Sequence, residues 1–305
     1  MNTTVTMHGD HPVLRLERLL NHPPDKVWHA ITDPTELSHW FPARIDFDHA
    51  TPGAPMSFTF DGTEPEHGEI LEIDPLKVFA FRWNDDVIRC ELLPRPEGCL
   101  LVFSHTLRAP DSDLPSTARH AAGWDGCLDA LDARLSGTTA EFDMQTWFHR
   151  AENYIEQFGL AEGELHRTDT GWQIHFTRDL VQPPAQVWAL LTGDTTPTPG
   201  SEPPLPSTHG YGTAGPVITT EAPHTLEYAW QPTGTVRFHL RDQHPIGTRL
   251  HLTHTTTTDP ATLLAAWHTH LELLFAALHD DIRCPWPTDR TEALRDHYAQ
   301  RFDLT

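Results

Sequence analysis

Lysine is almost absent from this chain, which has only Lys26 and Lys77 among its 305 residues. Lys and Arg together number 21 against 43 Asp and Glu, so the formal net charge is −22. Nucleic-acid binding requires a basic face that neutralises phosphates, and the sequence contains no basic cluster. We therefore expect no nucleic-acid partner, and we interpret the acidity as a solubilising surface.

Long apolar runs are also missing. No stretch approaches the roughly 18 apolar residues that a membrane-spanning helix requires. The N-terminal sequence, MNTTVTMHGDHP, has neither the basic n-region nor the apolar h-region of an export signal. We therefore predict a cytoplasmic protein without a membrane span.

Cysteines are few and show no metal-type spacing. Cys90 and Cys99 flank one predicted hairpin, whose turn at 94–98 would place Cys90 opposite Val102 and Leu93 opposite Cys99. We therefore expect no bridge between the two cysteines. We predict buried free thiols at all four positions, which are Cys90, Cys99, Cys127 and Cys284.

The chain does contain an internal repeat. The segment RLLNHPPDKVWHAIT, residues 18–32, returns 160 positions later as RDLVQPPAQVWALLT, residues 178–192. In each copy an alternating strand ends at a Pro-Pro pair, because proline has no N–H to donate, and a short helix with an inward Val-Trp begins. The repeat predicts two domains, which we place at residues 1–163 and 164–305.

Both copies follow the same order of elements. Alternating apolar residues in the first copy predict a meander of six strands, at 13–20, 56–60, 68–73, 77–83, 87–93 and 99–107. Apolar residues at helical spacing then predict a long helix that ends near Gly137, and a further helix is predicted over 147–158. In the second copy, the Pro/Thr/Gly-rich segment 193–212 replaces a short helix and two strands. The second domain is therefore predicted to be a trimmed copy.

A set of motifs in the first copy carries a family resemblance. The motifs are Arg18, Pro24-Asp25-Lys26-Val27-Trp28, Thr32-Asp33-Pro34, Trp40-Phe41, Pro52-Gly53, Gly68-x6-Pro75, Trp83 and Gly123-Trp124-x3-Leu128-x2-Leu131-x3-Leu135. Together they resemble the START-like SRPBCC superfamily, in the branch of the activator of the heat-shock-protein-90 ATPase. The resemblance covers residues 12–137 and, more weakly, 171–280.

The resemblance implies an α+β fold with two tandem helix-grip domains. In each, an antiparallel sheet curves around a long C-terminal helix, with an apolar cavity between them, and an extra helix follows. The superfamily includes lipid and hormone binders, polyketide aromatase/cyclases and chaperone partners, so the fold alone does not assign an activity.

Side chains alternate between the two faces of a strand, and this alternation predicts which residues face the cavity. Leu101, Phe103 and His105 share one face, and His120 shares the helix face of Trp124. The predicted ligand-binding residues are Trp40, Phe41, Phe58, Phe60, Phe81, Trp83, His105, His120 and Trp124. The alternative is that these aromatics are core and that the histidines bond to the backbone. Arg18, at the end of the first strand, is predicted to clamp a carboxylate or a carbonyl.

Three functions are compatible with this pattern. The first is the binding of a small apolar or aromatic molecule in the first domain, with the second as a packing partner or lid. The second is a cyclase or lyase that uses His105 or His120 as a general base. The third is a chaperone-type protein-interaction module, with a protein partner or self-association. No Ser-His-Asp order, phosphate loop or HExxH motif is present, so no cofactor is expected.

One group of histidines is a weak metal candidate. His239 is predicted to lie opposite His251 on the last hairpin of the second domain, and His175 shares that face. A solvated histidine-rich surface is the preferred interpretation. His268 and His270 lie about 200° apart on a helix and cannot share an ion.

Overall fold

Two antiparallel sheets organise the chain, one in each of two units, Met1–Phe158 and Gly159–Thr305. The computed structural model describes residues 2–60, 62–110, 112–244 and 246–304. The predicted domain boundary after residue 163 lies just before the first strand of the second unit and stays a prediction.

The first unit has an eight-stranded sheet with the order β1-β2-β8-β7-β6-β5-β4-β3. Its strands are β1 (Asn2–His8), β2 (His11–Leu20), β3 (Arg44–Asp46), β4 (Pro55–Thr59), β5 (Glu66–Asp74), β6 (Val78–Trp83), β7 (Asp86–Arg95) and β8 (Gly98–Thr106). Its helices are α1 (Pro24–Thr32), α2 (Pro34–Leu37), α3 (Thr117–Leu135) and α4 (Met144–Gln157). The long helix α3 buries Leu128, Leu131 and Leu135, the predicted apolar stripe.

The second unit has a six-stranded sheet with the order β11-β12-β13-β14-β10-β9. Its strands are β9 (Glu164–Thr168), β10 (Gly171–Leu180), β11 (Ala214–Glu221), β12 (Thr225–Trp230), β13 (Gly234–Gln243) and β14 (Gly247–Thr256). Its helices are α5 (Pro184–Thr192), α6 (Pro260–Ala277) and α7 (Thr288–Arg301). Each unit is thus an α+β helix-grip fold with an added C-terminal helix, as predicted.

The second unit has two strands fewer than the first because of the segment 193–212. Within it the structure shows only a single 3₁₀ turn, Leu205–Ser207, where the first unit has α2, β3 and β4. The many prolines of this segment lack the N–H groups that a ladder requires. The prediction of a trimmed second copy is confirmed.

Two strands were not predicted. β1 pairs with β2, and β9 pairs with β10, so each sheet begins with an additional edge strand. Both strands are mostly exposed and rich in polar residues, and therefore lack the clean apolar alternation of a half-buried strand. The repeated unit consequently starts with a hairpin in both copies.

The register of the β7–β8 hairpin differs by one residue from the predicted one. Cys90 lies opposite Phe103, and Leu93 lies opposite Leu100. The strand continues past Pro94 to a two-residue turn, because β7 beyond Glu91 has no pairing residue in β6 and a proline is tolerated there. The conclusion about the thiols is confirmed, since Cys90 and Cys99 are buried and free.

Two smaller predictions need correction. Cys284 is exposed and Cys127 is half-buried, so the prediction of four buried thiols is wrong for Cys284. The second short helix ends at Leu37 rather than near Trp40; Asp33 caps it by accepting N–H bonds from Thr35 (2.9 Å) and Glu36 (3.1 Å). In the described part of the chain, no helix is long and apolar enough to cross a bilayer.

Candidate functional site

The predicted aromatic residues of the first unit form one continuous cluster. The Phe41 ring is its centre, with centroid distances of 6.2 Å to Phe58, 6.0 Å to Phe81, 5.5 Å to Trp83 and 5.3 Å to Trp124. These separations are those of rings in contact. The inner face of the sheet is therefore packed with its own side chains where these rings meet.

The remaining two aromatics lie at the edges of this cluster. Trp40 packs edge-on against Phe41 at 5.8 Å, and its indole N–H donates to the carbonyl of Ala30 at 3.0 Å. Phe60 stacks on Trp83 at 5.8 Å, just after the end of β4. The structure thus brings together all seven aromatics of the predicted ligand-binding set.

His105 is held by two hydrogen bonds that determine its tautomer. The Trp124 indole donates to His105 Nδ1 at 2.9 Å, and His105 Nε2 lies 2.9 Å from Asp86 Oδ2. An indole N–H can only donate, so Nδ1 must carry the lone pair and Nε2 the proton. Both ring nitrogens are therefore engaged, and His105 has no free lone pair to take a proton from a substrate.

Asp86 is held in the ionised form by its neighbours. It accepts the bond from His105 and also the backbone N–H groups of Arg108 (2.6 Å) and Ala109 (2.9 Å). Burial acts to raise the pKa of Asp86, but the His105 bond and the two N–H groups together bring that pKa below its ordinary value. The hydrogen bonds among Asp86, His105 and Trp124 therefore connect the start of β7 to β8 and α3.

His120 lies one turn before Trp124, edge-on to His105 with ring centroids 5.2 Å apart. Its Nε2 is buried and has no hydrogen-bond partner among the described residues. Burial, with the charge of Arg119, holds the pKa of His120 well below the ordinary value. His120 is thus a neutral imidazole in the interior.

The second unit repeats the Trp–His bond without the acid. The Trp267 indole donates to His254 Nδ1 at 2.8 Å, as Trp124 does to His105. The register of β13 with β14 places Gly234 where Asp86 lies in the first unit, so His254 Nε2 has no partner in the described structure. Burial lowers the pKa of His254 to about 3. The sequence repeat matched these positions, but it did not predict the bond between them.

Arg18 is a structural clamp, as predicted. Its guanidinium bonds Asp129 at 2.7 Å and Asp125 at 2.6 Å, both on α3. Arg150 of α4 also pairs with Asp129, and its Nε lies 3.7 Å from Asp125. Two arginines and two aspartates therefore form a balanced ionic network that joins β2, α3 and α4.

A cavity of about 490 Å³ lies on the side of α3 that faces away from the sheet. Gly126, in its floor, is about 200° around the helix from Trp124. The cavity is bounded by α3, by α4 and by the segments 38–42 and 140–143. The residues that line it are Ser38, His39, Trp40, Phe41, Pro42, Ala122, Gly123, Gly126, Cys127, Asp129, Ala130, Ala140, Glu141, Phe142, Asp143, Thr146, Trp147 and Arg150.

Only Trp40 and Phe41 belong both to the predicted set and to the lining of this cavity. The strand-phase argument considered only the space between the sheet and α3, so it could not find a cavity that needs α4 as a wall. One feature of the sequence could have indicated this cavity. Gly123, Gly126 and Ala130 place small residues along one face of α3. A Cβ added at Gly123 would have open space around it.

The histidines on the outer face of the second sheet form a row. His239 lies opposite His251, as predicted, with ring centroids 6.2 Å apart, and His175 lies 5.8 Å from His251. Burial, with the neighbouring histidines and arginines, lowers the pKa of His251 to about 4. Across the residues described, no three His, Cys, Asp or Glu side chains are arranged to hold a metal ion.

Comparisons with known proteins give several similar solved structures, among them EF2215, CalU16 and DynU16. EF2215 from Enterococcus faecalis, a conserved protein of unknown function, has 20% identity and a TM-score of 0.44, over 52% of this chain and 90% of its own. CalU16 from Micromonospora echinospora has 21% identity and a TM-score of 0.43, over 52% of this chain and 98% of its own. DynU16, from the dynemicin biosynthetic locus, has 16% identity and a TM-score of 0.40, over 96% of both chains.

No curated protein matches the chain. Residues 21–136, from just before α1 to the end of α3, match the family described as Activator of Hsp90 ATPase homolog 1-like protein. The match ends before α4, so one wall of the cavity lies outside it. The first unit therefore resembles the Activator of Hsp90 ATPase homolog 1-like family, as its motifs predicted.

Proposed function

We propose that the first unit binds a small apolar or aromatic molecule in the cavity between α3 and α4. The observation that carries the proposal is the cavity itself, whose volume of about 490 Å³ is in the range typical of small-molecule sites. Its walls include Trp40, Phe41, Phe142 and Trp147, and its floor is formed by glycine and alanine. A ligand in this cavity would contact aromatic side chains and the small residues of α3.

The second unit serves as an internal comparison. Trp124 and Trp267 are 143 positions apart, and this offset assigns Ala266, Thr269, His270 and Leu273 to the positions of Gly123, Gly126, Cys127 and Ala130. Each residue of the second unit is larger than its counterpart. The small residues that line the cavity in the first unit are therefore not repeated in the second.

Contacts in the second unit show what these larger residues do. Thr269 Oγ1 lies 2.9 Å from Thr291 Oγ1 of α7, and the His270 ring lies 6.5 Å from that of Trp286. The side chains at these positions thus reach α7 and the segment that precedes it. The role of the second unit as a packing partner or lid stays a prediction.

The contacts favour binding over the cyclase or lyase alternative. His105 has both nitrogens engaged, and neither it nor His120 lines the cavity. Cys127 does line it, but burial raises the pKa of this thiol to about 12, so it is not a nucleophilic thiolate at neutral pH.

Native mass spectrometry of the full chain tests the proposal. A purified protein that retains its ligand should show a bound small molecule, and the variant Gly123→Leu should lose it because the leucine side chain occupies the open space beside the α3 backbone. Replacing a glycine inside a helix with leucine improves helix propensity by up to about 1 kcal/mol, so the fold is retained. Gly123→Ala, which adds a single methyl group, is the matched control and should keep the ligand.

Two outcomes would contradict the proposal. One is an equal amount of the bound molecule in Gly123→Leu and Gly123→Ala. The other is no bound molecule together with no binding of aromatic probes to the unmodified protein.

A further inference from the structure

We infer that this cavity takes an aromatic ligand that carries an amine or another cationic group, in preference to a carboxylate. The inference rests on the proposed function, because it specifies the chemical class of the ligand for the same cavity. It is argued from the charges that line the cavity, their pairing and the aromatic walls.

The charges at the inner end of the cavity cancel. Arg150 and Asp129 both line it and pair with each other, and Arg18 and Asp125 complete the same network. Arg150 is held by Asp129, with Asp125 at 3.7 Å from its Nε, so its charge is already compensated. A ligand carboxylate placed here would meet Asp129 and Asp125 as well as the arginine, and would gain little net attraction.

The charges at the outer end do not cancel. Glu141 and Asp143 line the cavity, are exposed, and form no ion pair within the described residues. The exposed His149 acts electrostatically on Asp143, but its ion pair is with Glu152 at 3.7 Å. Asp143 accepts the backbone N–H of Thr146 at 2.7 Å and its hydroxyl at 2.6 Å as the N-cap of α4. These bonds keep the pKa of Asp143 below its ordinary value, so the carboxylate is charged at neutral pH. The remaining ionisable groups in the lining are the exposed imidazole of His39 and the thiol of Cys127, which is uncharged at neutral pH because burial raises its pKa to about 12.

The walls favour the same sign of charge. Trp40, Phe41, Phe142 and Trp147 line the cavity, and a cation that lies over the face of an aromatic ring is attracted by about 0.5–2 kcal/mol. A carboxylate is repelled by the same ring faces. The net charge of −22 adds a long-range field that attracts cations to the protein.

Three naphthalene probes test the inference by calorimetry with the full chain. They share a two-carbon arm that ends in a primary amine, a hydroxyl or a carboxylate. At pH 8, above the usual titration range of histidine, we expect the amine to bind about tenfold more tightly than the carboxylate, with the alcohol between them. Added NaCl at about 0.5 M should reduce this ratio, because it screens the exposed carboxylates, and should leave the alcohol unchanged.

The variant Glu141→Gln locates the charge effect. It should reduce the amine-to-carboxylate ratio to about threefold, because it removes one of the two exposed negative charges of the lining. Asp132→Asn makes the same charge change on another face of α3, where the residue does not line the cavity, and should preserve the ratio.

The outcomes separate this inference from the proposed function. Equal binding of amine and carboxylate, or tighter binding of the carboxylate, would overturn the inference while the cavity remains a ligand site. If none of the three probes binds, or if Gly123→Leu binds all three as the unmodified protein does, the proposed function is overturned and the inference with it.

Discussion

Lowering the pH from 7.5 to 5.0 is expected to destabilise the second unit, because it contains buried neutral histidines. Burial lowers the pKa of His254 to about 3 and that of His270 to about 4. In the unfolded chain a histidine binds its proton near pH 6.5. Between pH 6.5 and 4 the unfolded state therefore holds more protons than the folded state, and the free energy of unfolding falls as the pH falls.

The magnitude follows from these values. Each histidine that is protonated only when unfolded contributes about 2 kcal/mol at pH 5, since each pH unit below 6.5 corresponds to about 1.36 kcal/mol. His254 and His270 together should thus reduce the free energy of unfolding by about 4 kcal/mol. His209, whose pKa burial and two histidine neighbours also hold well below the ordinary value, acts in the same direction. This loss is a large fraction of the stability of an ordinary domain.

This effect can be measured by urea unfolding of the full chain at pH 7.5 and 5.0. Hydrogen exchange in peptides from α6 reports the unfolding of the second unit. The variant His270→Cys carries the residue found at the corresponding position of the first unit, Cys127. A change in packing alters the free energy of unfolding equally at both pH values, so the difference between the two free energies isolates the titration. That difference should shrink by about 2 kcal/mol. His166→Gln, at an exposed position of β9, is the control and should leave the difference unchanged. Equal stability of α6 at both pH values would refute the reasoning.

Three further predictions concern the first unit and its repeated bond. Asp86→Ala should cost about 2 kcal/mol in urea unfolding, because it removes the acceptor of His105 Nε2–H and of two backbone N–H groups; no cost would contradict the role of this chain of bonds. Trp124→Phe and Trp267→Phe should each cost about 1 kcal/mol beyond the packing loss, because each removes one indole-to-imidazole bond; hydrogen exchange should show the loss only in the unit that carries the change. Arg18→Met should cost about 3 kcal/mol by leaving the two aspartates of α3 with one arginine, and unaltered stability in urea would show that the network is not a clamp.

Much of the fold could be predicted because the relevant signals are local. The Pro-Pro pairs mark the starts of α1 and α5, since a proline at the first helical turn requires no N–H partner. The stripe from Trp124 to Leu135 marks the long helix, since its apolar residues recur at helical spacing. β1 and β9 could not be predicted in this way, because an exposed edge strand needs no apolar alternation.

The candidate site was less predictable because it depends on packing between elements. The alternation of strand residues and the helical spacing of α3 place the rings around Phe41 on inner faces, but they could not show that the rings contact one another. The alternation also placed His105 on the inner face, but the tautomer follows only from the positions of Trp124 and Asp86. The cavity beside Gly123 requires α4, whose packing direction no periodicity in α3 specifies.

The indole N–H resonance of Trp147 gives the most direct test of the central claim, that the first unit binds its ligand between α3 and α4. Trp147 lines the cavity, whereas Trp267 lies in the interior of the second unit. When the naphthalene alcohol is titrated into the labelled full chain, the Trp147 signal should shift and saturate, and the Trp267 signal should stay in place. A saturable shift of Trp267 with none at Trp147 would contradict the account.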